Sequence, residues 1–353
     1  MKGYHIYIPN YSVGADCYKE IPWVTRKYGK KAVVIGGKTA MDKVKNALLD
    51  GIDGSELEIT DFVWYGGEAS YENVEMLMET EAVKNADMIF AVGGGRVMDT
   101  CKVVRERLDK PMFTFPTLGS NCAATTSIAV IYHPDGSVNN YFYGKIPAEH
   151  IFINTKIIAE SPEHMFWAGI GDAISKELEA QLAIRGHKAD HTPLMGNQLS
   201  LICIDPLIEY GKKAYEDCKN NTESFELEQV VLDIIITTGM VSNFMTTEND
   251  YYYNSSLAHG FYNGTSVIPN CIHNHQHGEI VSFGSLVLLT YDKNYDECDR
   301  IMKFHKEMGL PLTMSDIDLR DEDLPALAER TSVTKEKFIA AIKECDERGR
   351  KFK

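Results

Sequence analysis

The stretch that decides the fold of the first half of the chain is Phe90-Ala91-Val92-Gly93-Gly94-Gly95. An apolar run that ends in glycines and leads into an amphipathic segment is typical of a strand, a tight turn and a helix. Glycine lets a backbone approach a bound anion closely, and the N–H groups of the first helical turn then face that anion. The triplet is neither a Gly-x-Gly-x-x-Gly fingerprint nor a P-loop, so a purely structural turn is the alternative.

Strand and helix patterns alternate around this element over the first 160 residues. The candidate strands are Tyr4–Ile8, Lys31–Ile35, Leu57–Trp64, Asp87–Val92, Met112–Pro116 and Ser127–Tyr132. The candidate helices between them are Thr39–Leu49, Tyr71–Lys84 and Met98–Leu108. This alternation predicts an α/β fold with a Rossmann-like, doubly wound parallel sheet. The turn residues His133-Pro134-Asp135-Gly136 predict a hairpin that ends at Tyr143.

The pattern becomes almost entirely helical after Ser161-Pro162-Glu163. Ser161 is a candidate N-cap and Pro162 fits the first turn of a helix that runs to Leu182. Further helical patterns cover Pro193–Cys218, Ser224–Thr247, Ser255–Thr265, Gly278–Leu289, Tyr295–Met308 and Lys335–Arg348. We therefore expect two domains, a nucleotide-binding α/β domain over residues 1–160 and an all-α domain over 161–353, packed around a cleft.

Composition narrows the class of protein. A chain of 353 residues is long enough for two domains, and its net charge of -15 argues against nucleic acid or an anionic membrane as a partner. The eight cysteines contain no Cys-x-x-Cys pair. The start of the chain reads as a strand rather than a signal peptide, and no apolar run approaches the roughly 20 residues that span a bilayer. A reducing cytoplasm is the expected location.

A second loop, 116–127, follows the next predicted strand and is rich in hydroxyl and small side chains. An ordinary Ser/Thr-rich loop is the alternative, but ligands bind outside the carboxyl ends of neighbouring parallel strands, where both loops are expected to lie. The strand that starts at Lys31 ends in Gly36-Gly37-Lys38, without the acidic residue that binds a ribose 2′-hydroxyl. If the ligand is a nicotinamide dinucleotide, Lys38 favours NADP, or both NAD and NADP.

Three side chains in the second half suit a catalytic divalent metal, which prefers about three protein ligands and one open position. They are Asp172 in Gly169-Ile170-Gly171-Asp172, His259, and His277 in His277-Gly278-Glu279. Asp172 lies in an apolar helix start, where a buried carboxylate needs a partner, and a salt-bridged or capping aspartate is the alternative. The two histidines fit two helices that each present one imidazole.

Neighbouring residues compete for these roles. His273 and His275 alternate with His277 and are rival ligands on composition alone. Glu279 is a candidate for a residue that hydrogen-bonds a metal ligand without binding the metal itself. The alternative is an exposed charge at the start of a helix.

The motifs together resemble the iron-containing alcohol dehydrogenase superfamily, in particular its glycerol dehydrogenase branch, over nearly the whole chain. The segments that carry the resemblance are Gly93-Gly94-Gly95-x-x-x-Asp99-x-x-Lys102, Pro116-Thr117, Gly169-Ile170-Gly171-Asp172, His259-x-x-x-Asn263-Gly264 and His277-Gly278-Glu279-x-x-x-Phe283-Gly284. The resemblance implies that Asp172, His259 and His277 bind a metal, usually zinc or iron, with nickel or manganese as further possibilities. It also implies cofactor contacts from Gly94, Gly95, Asp99, Thr117, Ser120, Thr126, Ile128 and Tyr132.

Two positions depart from the glycerol dehydrogenase pattern. Those enzymes carry an Asp of the polyol site, in a Thr-Asp-Ala-Pro context, where this chain has Asn121-Cys122-Ala123-Ala124. The Cys-Ala-Ala version looks like related hydroxycarboxylate dehydrogenases, which reduce 2-oxo acids. Tyr262 stands where the family usually has a second His, three residues after the first histidine ligand.

The resulting hypothesis is reversible hydride transfer between NAD(P)H and a small 2-oxo acid, ketone or polyol, with the metal as Lewis acid. Cys122 would line the substrate pocket and set its shape, and the enzyme is expected to form a homo-oligomer. Glycerol dehydrogenase proper is one alternative. A sugar-phosphate cyclase of the dehydroquinate synthase type is another, disfavoured because Gly169–Lys176 and Leu257–Ile280 contain one Lys and no Arg. A non-catalytic binding protein is the third.

Overall fold

A parallel β-sheet organises the first half of the chain in this computed structural model, which describes residues 5–134, 136–330 and 333–353. The strands are β1 Tyr11–Val13, β2 Lys31–Gly36, β3 Glu58–Trp64, β4 Met88–Gly93, β5 Met112–Pro116, β6 Ile128–Tyr132, β7 Val138–Tyr143 and β8 His150–Ile153. Six of them form a parallel sheet in the order β1-β8-β5-β4-β2-β3, and β6 and β7 pair as an antiparallel hairpin.

The helices are α1 Ile21–Thr25, α2 Lys38–Ile52, α3 Tyr71–Glu79, α4 Glu81–Asn85, α5 Gly95–Leu108, α6 Thr155–Ala159, α7 Glu163–Ile184, α8 His191–Ser200, α9 Asp205–Lys219, α10 Phe225–Leu232, α11 Thr238–Met245, α12 Leu257–Thr265, α13 Pro269–Asn274, α14 His277–Tyr291, α15 Tyr295–Met308, α16 Leu324–Ala328 and α17 Lys335–Phe352. A π-helical turn, Asp233–Thr237, joins α10 to α11.

Both faces of the sheet are covered, which confirms the doubly wound prediction. Alternate residues of β2 and β4 point to opposite faces, so Val33 packs in one hydrophobic cluster with α5 while Val34 packs in another with α2. Registers pair Gly36 with Val92 and Gly93 with Pro116, so the carboxyl ends of β2, β4 and β5 lie side by side. The loops after these strands therefore open at one edge, where a ligand is expected.

Three local predictions need correction or lie outside the described residues. The predicted strand Tyr4–Ile8 is wrong, because the first strand is β1 and residues 5–8 are not in a strand, while Tyr4 lies outside the described residues. The hairpin is confirmed, although Asp135 of its turn is also outside them. Ser161 is not the N-cap of α7, since Pro162 occupies that position and the helix begins at Glu163.

The second half is helical, and α14 is its most buried long helix, packed against α7 and α12. One hydrophobic cluster joins Ile131 and Ile153 of the first half to Phe166 and Ile170 of α7. The division at residue 160 stays a prediction. Within the described part of the chain, none of the helices has the length and apolarity that crossing a bilayer requires.

Candidate active site

The three metal-ligand candidates come together where α7, α12 and α14 meet. One ligand atom from each of Asp172, His259 and His277 lies within 4.8 Å of the others. The Nε2 atom of His277 is 3.2 Å from Oδ1 of Asp172, and Nε2 of His259 is 3.6 Å from the same oxygen. Residues separated by up to 105 positions in sequence, as the numbering shows, therefore form one cluster.

This cluster fits a divalent cation. Oδ1 of Asp172 is buried and accepts no hydrogen bond from the described residues, although both imidazoles are close to it. A buried acceptor without a donor is costly, and a cation between one carboxylate and two imidazoles would remove that cost. Burial raises the pKa of Asp172, but His277 and His259 outweigh burial and hold that pKa below its usual value. An ionised carboxylate with two imidazoles is a donor set that suits zinc or iron.

Glycines bring the three helices close enough for this geometry. A Cβ on Gly278 would lie 1.9 Å from the carbonyl oxygen of Ala168 in α7, and a Cβ on Gly284 would lie 2.7 Å from that of Ala258 in α12. The contacts occur one residue after His277 and one residue before His259. The glycines of the sequence motifs thus set the distances between the backbones that carry the ligands.

The loop after β5 also rests on α7. A Cβ on Gly169 would lie 2.1 Å from the carbonyl oxygen of Gly119. This contact holds the second nucleotide-loop candidate against the helix that carries Asp172. The half-buried thiol of Cys122 follows on the same loop, and burial raises its pKa, with the charges of Lys176 and Asp172 as smaller influences. A protonated thiol fits a pocket-lining role better than a nucleophilic one.

The glycine triplet has the conformation that the nucleotide hypothesis requires. Gly93 has φ +144°, a backbone angle that residues other than glycine rarely adopt. Gly94 is the N-cap residue of α5, and Gly95 is the first residue of that helix. The N–H of Thr117 donates to the carbonyl of Gly93 at 3.2 Å, and a Cβ on Gly95 would lie 3.0 Å from Nδ2 of Asn121. The two predicted loops are therefore in contact with each other.

Several predicted cofactor residues belong to a buried network that joins α5 to the β6–β7 hairpin. Nζ of Lys102 donates to Asp99 (2.9 Å), to the Thr126 hydroxyl (2.9 Å) and to the carbonyl of Ile128 (2.7 Å). The N–H of Val130 donates to the other Asp99 oxygen at 3.0 Å. These hydrogen bonds hold the hairpin against α5, the helix that begins at the glycine triplet. Direct cofactor contact from Asp99, Thr126 and Ile128 stays a prediction.

The remaining cofactor candidates lie around the same edge. Gly36 is the last residue of β2. A Cβ added to Gly36 would lie 2.8 Å from the carbonyl oxygen of Val92. Lys38 is the first residue of α2, and its Nζ lies 4.7 Å from the centre of the Trp64 ring. The side chains of Ser120 and Tyr132 are partly buried. Cofactor contact by each of these residues stays a prediction.

Comparison with known proteins agrees with this geometry. The family model for iron-containing alcohol dehydrogenases matches residues 9–152. A glycerol dehydrogenase from Thermotoga maritima is 29% identical over 306 residues, covering 81% of each chain. Hydroxycarboxylate dehydrogenase A from Escherichia coli is 27% identical over 293 residues, covering 83% of this chain and 76% of that protein. The crystal structure of glycerol dehydrogenase from Schizosaccharomyces pombe superposes with a TM-score of 0.88 at 24% identity, covering 100% of this chain and 92% of that one.

Over residues 9–152 the chain is similar to the iron-containing alcohol dehydrogenase family. Its similarity to glycerol dehydrogenases is the most frequent among these relatives, and it is a metal-dependent NAD(P) dehydrogenase. The resemblance agrees with the family model and the relatives, and the fold expected from it is confirmed by the solved structures.

Within this dehydrogenase, Tyr262 lies beside the metal-ligand candidates. It lies one turn after His259 on α12, and its ring meets the His277 ring edge-on at 4.2 Å between centroids. An edge-on aromatic contact of this kind restricts the orientation of the His277 ring. Tyr262 thus packs against a ligand candidate from the position where the family usually has its second His.

The rival ligands of the dehydrogenase do not join the cluster. Nδ1 of His275 lies 2.9 Å from Glu279 and its Nε2 lies 3.3 Å from Asp318, while His273 is exposed on α13. Glu279 also accepts the N–H of Gln276 at 3.1 Å in a capping box. Glu279 therefore fixes the start of the helix whose first residue is His277.

A functional residue that the sequence analysis missed is Glu179 on α7. Its carboxylate is fully buried, and one oxygen lies 2.6 Å from Nδ1 of His259. Burial raises its pKa, but His259 and the backbone donors around it outweigh burial and lower that pKa overall. The available signal was its place seven residues after Asp172, two helical turns along the same face of α7.

Proposed function

We propose that this dehydrogenase transfers a hydride reversibly between NAD(P)H and a small 2-oxo acid, ketone or polyol, at a divalent metal held by Asp172, His259 and His277. The observation that carries the proposal is the convergence of these three ligands within 4.8 Å beside the loop that follows β5. Zinc or iron is the metal that the donor set favours, with nickel or manganese as alternatives.

The residues of the chain divide the work between cofactor and substrate. The backbone at Gly93, Gly94 and Gly95 would face the cofactor pyrophosphate at the start of α5. Further cofactor contacts are proposed for Gly36, Lys38, Asp99, Thr117, Ser120, Thr126, Ile128 and Tyr132. The cation, when bound, would supply Lewis-acid polarisation of the substrate oxygen, and the nicotinamide would supply the hydride.

A buried lysine supports an acidic substrate. Lys176 lies one turn after Asp172 on α7 and is 7% exposed. Its Nζ donates to the backbone oxygen of Asn254 at 3.1 Å and to the side-chain oxygen at 2.7 Å, both of which are uncharged. Among the described residues, no carboxylate forms an ion pair with this ammonium, so an anionic substrate group nearby would be stabilised. Cys122 in place of the polyol-site Asp supports the same choice.

The comparisons support the polyol alternative more strongly. Glycerol dehydrogenases recur among the named relatives, including those from Thermotoga maritima, Schizosaccharomyces pombe and Citrobacter freundii. Hydroxycarboxylate dehydrogenase A from Escherichia coli represents the other substrate class. The lyase alternative has no support, because the matched family and the named relatives are dehydrogenases, reductases or oxidoreductases.

The deciding experiment compares pyruvate and 2-oxobutyrate with dihydroxyacetone and glycolaldehyde, using each nicotinamide cofactor and added zinc, iron, nickel or manganese. If Lys176 stabilises the carboxylate of a 2-oxo acid substrate, Lys176→Met should lower kcat/KM for the oxo acids by roughly 10- to 100-fold, the effect of losing a charge-assisted hydrogen bond. The kcat/KM for dihydroxyacetone, which has no carboxylate, should stay within about 3-fold. Equal losses for charged and neutral substrates would favour the polyol alternative. Absence of turnover on all substrates with all four metals would refute the proposed function.

The thiol gives a second test of substrate class. Cys122→Asp should raise the rate of glycerol oxidation if the loop after β5 lines the substrate pocket. Cys122→Ser is the matched control, because it changes polarity at the same size without adding a carboxylate. Equal glycerol rates in both variants would remove Cys122 from the account of specificity.

A further inference from the structure

Glu179 links two of the three helices of the candidate metal site. One oxygen of its carboxylate accepts the backbone N–H groups of Ser256 (2.8 Å) and His259 (2.9 Å), and the other lies 2.6 Å from Nδ1 of His259. The N-cap residue of α12, Ser256, makes no side-chain capping bond of its own. The carboxylate from α7 therefore caps α12 and contacts the histidine in its first turn.

We propose that Glu179 is a positioning residue that fixes the ring orientation and tautomer of His259, so that Nε2 presents its lone pair towards Asp172. A carboxylate only accepts hydrogen bonds, so the atom next to it, Nδ1, carries the ring proton. The neutral ring then has its lone pair on Nε2, the nitrogen that faces the Asp172 oxygen at 3.6 Å. This inference rests on the metal site of the proposed function.

The two backbone donors make the arrangement specific for a carboxylate. All three groups around Glu179 are N–H donors, and both of its oxygens are used. An amide has only one accepting atom, so Glu179→Gln must turn its NH₂ either towards the backbone N–H groups or towards Nδ1. The first orientation opposes donors to donors. The second places the ring proton on Nε2, the ligand atom.

The expected consequence is weaker metal binding. Removing the hydrogen-bond partner of a metal-ligating histidine typically lowers metal affinity by 10- to 100-fold. We therefore expect Glu179→Gln to raise the Kd for Zn²⁺ by at least about 10-fold. The matched control is Glu177→Gln, the same substitution two residues away on α7, which leaves the contacts of His259 unchanged and should keep the Kd within about 2-fold.

The experiment uses the full-length protein freed of metal by a chelator. Competition with a chromophoric chelator measures Zn²⁺ affinity in the wild type and both variants, without reference to turnover. ¹⁵N spectra of histidine-labelled protein, with His259 assigned by its Ala variant, report which ring nitrogen carries the proton in the metal-free wild type. A purely structural cap would lower the melting temperature of Glu179→Gln without changing this tautomer.

Each outcome has a distinct meaning. A proton on Nδ1 of His259 in the wild type, together with selective loss of Zn²⁺ affinity in Glu179→Gln, supports the proposal. A wild-type His259 ring with a proton on Nε2 and none on Nδ1 overturns it even if the variant does not fold. Unchanged affinity in a folded Glu179→Gln overturns it while leaving the metal site intact. A wild type that binds none of zinc, iron, nickel or manganese overturns the metal site and the proposal together.

Discussion

The contact between α7 and α14 offers a test of how the metal site is built, through Gly278→Ala. A Cβ at Gly278 would lie 1.9 Å from the carbonyl oxygen of Ala168 and 3.0 Å from Cβ of Asp172. Real Cβ contacts essentially never fall below 3.0 Å, so the two helix backbones must separate by about 1.1 Å or more. The distance of 3.2 Å between Oδ1 of Asp172 and Nε2 of His277 would increase by a similar amount.

Two losses follow from this separation. Overpacking at a helix contact costs about 1–3 kcal/mol, which urea denaturation of the metal-free protein would detect. Catalytic geometry is sensitive to displacements of about 1 Å, for which losses near 100-fold are known, so kcat/KM should fall by about that factor. Zn²⁺ titration should show weaker binding, because ligand distances tolerate only about 0.2 Å.

Gly260→Ala is the matched control. Gly260 follows His259 as Gly278 follows His277, but among the described residues no atom outside its own turn of helix lies within 4 Å of its Cβ position. In a helix, such a replacement should be neutral or should stabilise the protein by roughly 0.4–1 kcal/mol. If Gly278→Ala matched Gly260→Ala in stability and Zn²⁺ affinity, the claim that glycine contacts set the ligand geometry would be refuted.

Three further predictions concern single residues. His277→Ala should abolish turnover and leave NAD(P)H binding, measured by fluorescence titration, within a few-fold; an active variant free of metal would contradict the Lewis-acid account. Lys38 predicts that NADPH is oxidised at least as well as NADH, and Lys38→Ala should reduce kcat/KM for NADPH more than for NADH; clearly poorer use of NADPH by the wild type would refute this. Burial, assisted by Glu297, raises the pKa of Glu177 from 4.5 to about 7, so its ionisation in the folded state costs stability progressively as pH rises from about 4.5 to 7. Glu177→Gln should therefore gain stability over the wild type between pH 5 and pH 8 in urea denaturation, and a difference independent of pH would be evidence against that shift.

The central strands were predictable because they are apolar on both faces. β2, β4 and β5 each lie between two helical layers, which gives continuous runs of buried residues. The strands β1 and β8 were missed for a physical reason. They have three and four residues, β1 is at the sheet edge, and a polar pair, Ser12 Oγ with His150 Nε2 at 2.9 Å, joins them. Short strands with polar contacts carry little periodic signal.

The cluster of Asp172, His259 and His277 was predictable because each of these residues has a local motif, whereas the contact of Glu179 with His259 was not. Asp172 and His277 each stand beside glycines, and the resemblance names the same positions. Glu179 contacts a residue 80 positions away, and that contact depends on how α7 and α12 are rotated against each other. Glu279 is the opposite case, because its sequence position suggested a contact with a metal ligand. In the structure its carboxylate accepts the N–H of Gln276 and caps α14 instead.

Glycines that look alike in the sequence have different physical roles, and only the packing distinguishes them. Gly278 and Gly260 both follow a histidine ligand candidate, yet one has a backbone oxygen 1.9 Å from its Cβ position and the other has open space. Gly284, six residues further along α14, makes the corresponding close contact with the backbone of α12 at Ala258. The spacing of α14 from both partner helices is therefore fixed by main-chain contacts on the two sides of one helix. Because the ligands lie next to these contacts, a change in the helix spacing acts on the metal site directly, without any change in the ligands themselves.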